Sequence, residues 1–181
     1  GTTVSYDRLL VATGSTPISP PIEGMDLPGV HPCWTLADYR NIAARADKGA
    51  KVVLMGAGFI GSIILEALAA RGVDLTVVEL ENRMVPRMMN EASGGLIKRW
   101  CEQRGVRVLT STRVDGITGG DPLAVSLSNG ETLTANLVIS ATGVAPNTQF
   151  LQGSGVNIDQ GILVNERLES SVENLFAAGD V

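Results

Sequence analysis

The sequence predicts an α/β protein built on a parallel sheet, and three features of the chain support this prediction. A strand-and-turn pattern occurs twice, as LLVATGSTP at residues 9–17 and as VISATGVAP at residues 138–146. A glycine-rich turn, GAGFIG, lies between the two copies at residues 56–61. Short alternating segments separated by turn residues follow at 114–133. We therefore expect one domain to be inserted within the sequence of another.

The composition narrows the class of protein. The chain has 181 residues, which allows one full domain and a remainder. Hydrophobic residues make up 44% and glycine occurs 21 times, which favours tight strand-to-helix turns over a disordered or coiled chain. The formal net charge is -5 and no Lys/Arg cluster is present, so nucleic acid is not an expected partner.

Membrane and metal chemistry are not expected either. The uncharged run at 52–65 is too short for a spanning helix and is interrupted by glycines. Cys33 and Cys101 are the two cysteines, and neither a CxxC motif nor a metal-ligand spacing is present. We expect two reduced thiols, no metal site and a cytoplasmic location.

The first segments are a strand, a connector and a helix. Residues 6–13 predict a strand, and the proline-containing stretch 17–32 has no periodicity and predicts a connector. Thr35 and Asp38 form a capping-box pattern that predicts a helix to about residue 46. Leu36 is expected on its apolar face.

Strands and helices then alternate through the middle of the chain. We expect strands at 52–55, 75–79, 106–109 and 137–142, a helix after the glycine-rich turn, and a second helix over 90–104. Gly94 and Gly95 each cost about 1 kcal/mol in a helix interior, so a start after them is an alternative. Asn129-Gly130 predicts a type I′ hairpin.

The GAGFIG turn has a physical reason for each glycine. Gly56 permits a tight turn, Gly58 lets backbone N–H groups approach a pyrophosphate, and Gly61 lets the helix pack close to the strand. Phe59 and Ile60 complete the motif at the start of the helix, whose N-terminus carries partial positive charge. The strand before the turn, the helix after it and the strand that follows predict a dinucleotide site on a Rossmann-like sheet, flanked by helices and carrying an inserted antiparallel β-meander as a three-layer ββα arrangement.

Glu79 ends the next strand, 18 residues after Gly61. Its carboxylate is placed to accept the ribose hydroxyls of the adenosine half and to repel a 2′-phosphate, which favours NAD(H) over NADP(H). Arg83 and Arg87 lie a few residues further on and are the alternative, since an arginine can bind a 2′-phosphate.

The order of ATG, GxGxxG, acidic strand end, meander, second ATG and AGD resembles the FAD-dependent pyridine nucleotide-disulfide oxidoreductase superfamily. The chain is most similar to its NADH oxidases and rubredoxin or ferredoxin reductases. This resemblance implies a FAD domain interrupted by an NAD(H) domain, with FAD-domain pieces at 1–20 and 150–181 and the NAD(H)-binding domain at 21–149. It also implies that Gly143 approaches the nicotinamide nucleotide, Gly14 lies near the flavin nucleotide, and Asp180 accepts a hydrogen bond from the ribityl chain of FAD.

The resemblance implies that the full-length protein transfers hydride from NADH to FAD. The electrons would pass on to a small iron protein, dioxygen or a disulfide. We name no catalytic side chain, because in this family the cofactors supply the chemistry. We expect the 181-residue chain to be a fragment that is inactive alone, lacking the N-terminal glycine motif that would hold FAD. We also expect residues 9–11 and 175–177 to form parallel neighbours whose free edges favour a homodimer.

One departure from the family keeps a second function open. Many members carry a glutamate two residues after the last glycine, near where nicotinamide meets flavin, and here that residue is Ile63. An NAD(H)-binding regulatory or scaffold module without efficient hydride transfer is the alternative. A flavin-free dehydrogenase is disfavoured by the paired ATG motifs and the terminal AGD.

Overall fold

The computed structural model describes residues 1–181, and the chain divides into two compact units. Residues 1–18 and 144–181 form the flanking unit, and residues 19–143 form the inserted unit. This division differs from the predicted boundaries after residues 20 and 149, because Val144–Pro146 pairs with Ser15–Pro17 inside the flanking unit.

The regular elements are short strands and three α-helices. The strands are β1 Leu9–Val11, β2 Ser15–Pro17, β3 Val30–Pro32, β4 Lys51–Met55, β5 Asp74–Val78, β6 Arg107–Leu109, β7 Val114–Gly119, β8 Leu123–Leu127, β9 Thr132–Ala135, β10 Leu137–Ser140, β11 Val144–Pro146 and β12 Leu175–Ala177. The helices are α1 Leu36–Arg45, α2 Phe59–Ala70 and α3 Glu91–Glu102, and a 3-10 turn covers Gln149–Leu151. No helix has the length and apolar character needed to cross a bilayer.

The inserted unit has three layers, as the sequence predicted. Its central sheet is parallel in the order β3-β10-β4-β5-β6, and the antiparallel meander β7-β8-β9 forms a separate sheet. One apolar cluster joins a face of the central sheet to the helices, and a second joins the opposite face to the meander. Because both faces of the central sheet are covered, β4 and β10 are almost entirely buried. Strands buried in this way have continuous apolar sequences.

Three local predictions for the inserted unit need correction. The connector contains β3, an edge strand with only three residues, too short for a periodic pattern. The capping box of α1 is confirmed, but Leu36 is 64% exposed, and Ile42 is the buried residue of this helix. The hairpin after β8 is not type I′, because Gly130 has a φ of 86° while Asn129 is not left-handed, and the Gly130 N–H donates to Leu127.

Helix α3 begins before its two glycines. Asn90 is the N-cap, and its side chain accepts a hydrogen bond from the Ser93 N–H at 2.9 Å. Gly94 is buried, and a Cβ there would lie 2.7 Å from the carbonyl oxygen of Met84. The cost of glycine in the helix is therefore offset by a close approach that only glycine permits.

The flanking unit is small. β1 and β12 are parallel neighbours, which confirms the predicted pairing, and β2 and β11 form an antiparallel pair. Its core consists of five buried residues, Val11, Leu151, Ile162, Leu175 and Ala177.

Candidate nucleotide-binding site

The glycine-rich turn lies at the carboxyl edge of the central sheet. It follows β4, which pairs with β5 on one side and β10 on the other. The chain continues from β4 to β5 and β6 in one direction and later returns to β10 on the opposite side, so the strand order reverses next to β4. In open α/β sheets, ligands bind in the crevice at such a reversal.

Two glycines of the turn are required by close approach. Gly56 has a φ of 93°, and a Cβ there would lie 2.5 Å from the carbonyl oxygen of Ala141, just beyond β10. A Cβ on Gly61 would overlap the carbonyl oxygen of Gly56, within the turn itself. The turn is therefore pressed against the end of β10 and against the first turn of α2.

The third glycine faces open space. Gly58 is the N-cap of α2 with a φ of -73°, and a Cβ on it would meet no atom within 4 Å. No side chain caps this helix end. The first N–H groups of a helix lack partners within it, and together with the helix dipole they favour an anion.

Phe59 and Ile63 are 62% and 59% exposed on the same side of the helix, one turn apart, and Ile60 is half-buried.

Glu79 lies directly after β5 and connects this strand to the turn. Although it is only 6% exposed, its carboxylate accepts hydrogen bonds from the Ala57 N–H at 2.6 Å and from the Glu81 N–H at 2.8 Å. A carboxylate has about four acceptor positions, so these two bonds leave two of them unused. The sequence did not anticipate that Glu79 also holds the glycine-rich turn.

Gly143 follows β10 and has a φ of 121°, a left-handed conformation that favours glycine. It lies two residues beyond Ala141, whose carbonyl faces Gly56. The structure thus places the glycine-rich turn, Glu79 and Gly143 after three adjacent strands, at one edge of the sheet.

The two predicted residues of the flanking unit lie at separate turns. Gly14 connects β1 to β2 with a φ of 65°, and a Cβ there would meet open space. Asp180 is exposed near the end of the chain, after Gly179 with a φ of 89°.

Asn147 is a residue that the sequence analysis missed. Its side chain donates to the Thr13 carbonyl at 3.0 Å and accepts from the Thr16 hydroxyl at 2.8 Å, and its backbone N–H donates to the Gly14 carbonyl at 2.9 Å. Asn147 therefore fixes the Gly14 turn from the far end of the sequence. Its position shortly after the second ATG was the available signal.

Burial shifts the pKa values of the two cysteines and of the single histidine. Cys33 and Cys101 are free thiols, and burial raises the pKa of both. Burial, followed by the charge of Arg45, lowers the pKa of His31, whose Nε2 is buried without a hydrogen-bond partner. No group of three or more His, Cys, Asp or Glu side chains is placed to hold a metal ion.

Comparison with known proteins identifies the family. The family model described as pyridine nucleotide-disulphide oxidoreductase matches residues 1–181. The chain is 34% identical to an NADH oxidase of Methanocaldococcus jannaschii over 98% of its length and 40% of that protein's. It is 35% identical to a rubredoxin-NAD(+) reductase of Acinetobacter baylyi over 97% of its length and 46% of that protein's. A solved NAD-dependent persulfide reductase from A. fulgidus superposes with a TM-score of 0.89 at 35% identity, covering 98% of this chain and 34% of that one.

These matches confirm the resemblance that the motifs predicted, including NAD(H) and FAD as the cofactors of such homologues and oxidoreductase as the enzyme class. The chain spans less than half the length of each of these relatives. The sheet, the glycine-rich turn and the meander follow one another in the expected order. Because the family model also matches the full sequence, the chain belongs to the pyridine nucleotide-disulphide oxidoreductase family.

Proposed function

We propose that the inserted unit binds NAD(H) within a FAD-dependent oxidoreductase that transfers hydride from NADH to FAD. The observation that carries this proposal is the arrangement at residues 56–61, where two glycines are forced by backbone contacts and the third faces open space. A turn needed only for compactness would have no reason to leave Gly58 open at an uncapped helix end.

Each site residue has a role in this proposal. The backbone N–H groups from Gly58 through Phe59, Ile60 and Gly61 hold the pyrophosphate, because they lie at the start of α2. The two free acceptor positions of Glu79 receive the hydroxyls of the adenosine ribose. Gly143, at the neighbouring strand end, allows the backbone to approach the nicotinamide nucleotide.

The flanking unit contributes to the FAD side in this proposal. Gly14 leaves open space beside its turn for the flavin nucleotide, and the exposed carboxylate of Asp180 accepts a hydrogen bond from the ribityl chain. Both fit the group, since neither position is filled by a neighbouring side chain.

When bound, the two cofactors supply the redox chemistry, and this chain's residues bind and orient them. The relatives suggest three classes of electron acceptor, because their names specify an NADH oxidase, a rubredoxin reductase and a persulfide reductase. A small iron protein, dioxygen or a sulfur compound such as a disulfide therefore remain the proposed acceptors.

The two free thiols support the proposed cytoplasmic location, and the open edge of β1 supports a proposed homodimer.

The decisive test is calorimetric titration of the chain with NADH and NADPH side by side. We expect saturable binding of NADH and weaker binding of NADPH. Glu79→Gln should lower the NADH affinity by about tenfold or more, because the amide keeps one acceptor oxygen and turns its NH2 donor toward one of the two N–H groups. The exposed Glu173→Gln is the matched control and should bind like the wild type. No heat with either coenzyme at millimolar concentration would contradict the proposal.

The alternative is an NAD(H)-binding regulatory or scaffold module. The observation that favours it is Ile63, an exposed apolar side chain at a position where it offers no hydrogen bond to the coenzyme. Rapid mixing of the full-length protein with NADH separates the two functions. Prompt bleaching of the flavin supports the oxidoreductase, whereas tight NADH binding without bleaching supports the module.

A further inference from the structure

The loop between β5 and α3 is built around one arginine. We call residues 82–90 the arginine loop. Within it the Arg83 guanidinium donates to the Met89 carbonyl at 2.8 Å, to the Pro86 carbonyl at 2.9 Å and to Asn82 Oδ1 at 2.8 Å. These three acceptors surround a planar fork of N–H donors, a geometry that a lysine ammonium cannot reproduce.

The arginine loop is attached to the glycine-rich turn. The Val85 N–H donates to the Ala57 carbonyl at 2.8 Å, and the Ala57 N–H donates to Glu79 at 2.6 Å. Ala57 is only 1% exposed. Its backbone is therefore held on both sides, by the loop at its carbonyl and by the strand end at its N–H.

The conformation of the arginine loop is costly by itself. Val85 has a φ of 50°, which is a strained region for a β-branched residue. Such a conformation persists only where the surroundings enforce it. The enforcing contacts are the guanidinium bonds of Arg83, the fully buried Met84 side chain and the close approach of Gly94, where a Cβ would lie 2.9 Å from Arg83 Cβ.

We propose that Arg83 is a positioning residue for NAD(H) binding, which shapes the arginine loop and thereby fixes the Ala57 peptide of the glycine-rich turn. This inference rests on the proposed function. Three of the five N–H donors of Arg83 are directed to acceptors within the loop, so we assign this side chain to shaping the loop and not to binding a phosphate. In this proposal the preference for NAD(H) over NADP(H) rests on Glu79 alone, and Arg83 does not contribute to it.

The test combines coenzyme titration with amide hydrogen exchange on the 181-residue chain. Arg83→Lys keeps the charge but loses the fork, and we expect NADH affinity to fall by about tenfold and the Val85 amide to exchange about tenfold faster. The ratio of NADH to NADPH affinity should stay the same, since no phosphate contact is removed. Arg40→Lys, at an exposed position on α1, is the matched control and should change neither measurement.

A second variant covers the case in which Arg83→Lys fails to fold. Asn82→Ala removes one of the three guanidinium acceptors and should change both measurements in the same direction by a smaller factor. Unchanged NADH affinity and unchanged Val85 exchange in both variants would overturn the inference while leaving the proposed function intact. A selective loss of NADPH binding would also overturn it, because that result marks a direct phosphate contact. Failure of the wild-type chain to bind NADH contradicts the proposed function itself.

Discussion

The inserted unit and the flanking unit hold their glycine turns in different ways. In the inserted unit, the glycine-rich turn is packed against the Ala141 backbone just beyond β10 and against the start of α2, and two large apolar clusters pack on the two faces of its sheet. In the flanking unit, the Gly14 turn meets open space, and the hydrogen bonds of Asn147 hold it above a core of five buried residues. Packing is the main constraint on the first turn, and polar side-chain bonds are the main constraint on the second.

This difference indicates how each turn should respond to mutation. A turn fixed by backbone packing cannot accept one extra carbon without a shift of the sheet. A turn fixed by exposed hydrogen bonds loses only part of its order when one bond is removed. Four predictions test this comparison, in order of decreasing effect.

The largest effect is expected for Gly56→Ala. The new Cβ would lie 2.5 Å from the Ala141 carbonyl, and alanine at a φ of 93° is strained, so the free energy of unfolding should fall by about 3 kcal/mol. Gly58→Ala is the matched control. It should fold normally, because its Cβ meets no atom, yet bind NADH more weakly. Denaturant unfolding measures the stability of both variants, and calorimetry measures their NADH binding. Equal destabilisation by both variants would show that backbone packing at Gly56 is not the main constraint on this turn.

The next effect concerns Asn147→Ala in the flanking unit. The variant loses the side-chain bonds to Thr13 and Thr16, which should cost about 1–2 kcal/mol locally. Amide exchange should increase in the flanking unit around β1 and β2, while the Val53 and Val77 amides of the inserted unit stay protected. Thr16→Val, which removes one of the two bonds, should give a smaller increase. Faster exchange in β4 would show that the bonds of Asn147 do more than hold the Gly14 turn, and would contradict the comparison.

A smaller effect is expected from the ionisation of His31. Its pKa is lowered first by burial and then by Arg45, while Asp38 opposes the shift. The unfolded chain therefore binds this proton more readily, and stability should decrease as the pH falls below the usual histidine value of about 6.5. His31→Gln should flatten the curve of unfolding free energy against pH in that range. An unchanged curve would mean that other groups dominate the acid sensitivity of the inserted unit.

The smallest effect is expected for the ion pair of Arg107 and Glu131. The guanidinium bonds both carboxylate oxygens, at 2.6 and 2.8 Å, but the two side chains are 49% and 34% exposed. The hydrogen bond from Arg107 is the main cause of the lowered pKa of Glu131, so the pair contributes above the usual glutamate pKa and is lost as the pH falls through the lowered value. Glu131→Gln should change stability only slightly, and added salt should remove the difference. A large, salt-independent loss would show that packing is not the main support of this unit.

The sequence by itself determined the order of the main elements and the residues on which the proposed site rests. Apolar runs predicted β4 and β10, because a parallel strand covered on both faces tolerates few polar residues. Thr35 and Asp38 predicted the start of α1, since a capping box is a purely local signal. The spacing between the glycine-rich turn and Glu79 predicted that the two lie together, and the bond between Glu79 and the Ala57 N–H confirms that they do.

Tertiary structure alone decided the features that depend on contacts between distant segments. β3 is too short to show a period and exists because β10 lies beside it. Gly94 lies inside a helix because Met84 approaches it, and propensity alone favours a later start. The three acceptors of Arg83 and the Asn147 bonds are set by where the backbone turns, which no residue pattern states. Local patterns fix what a segment can become, and packing fixes which of its polar groups remain available to a ligand.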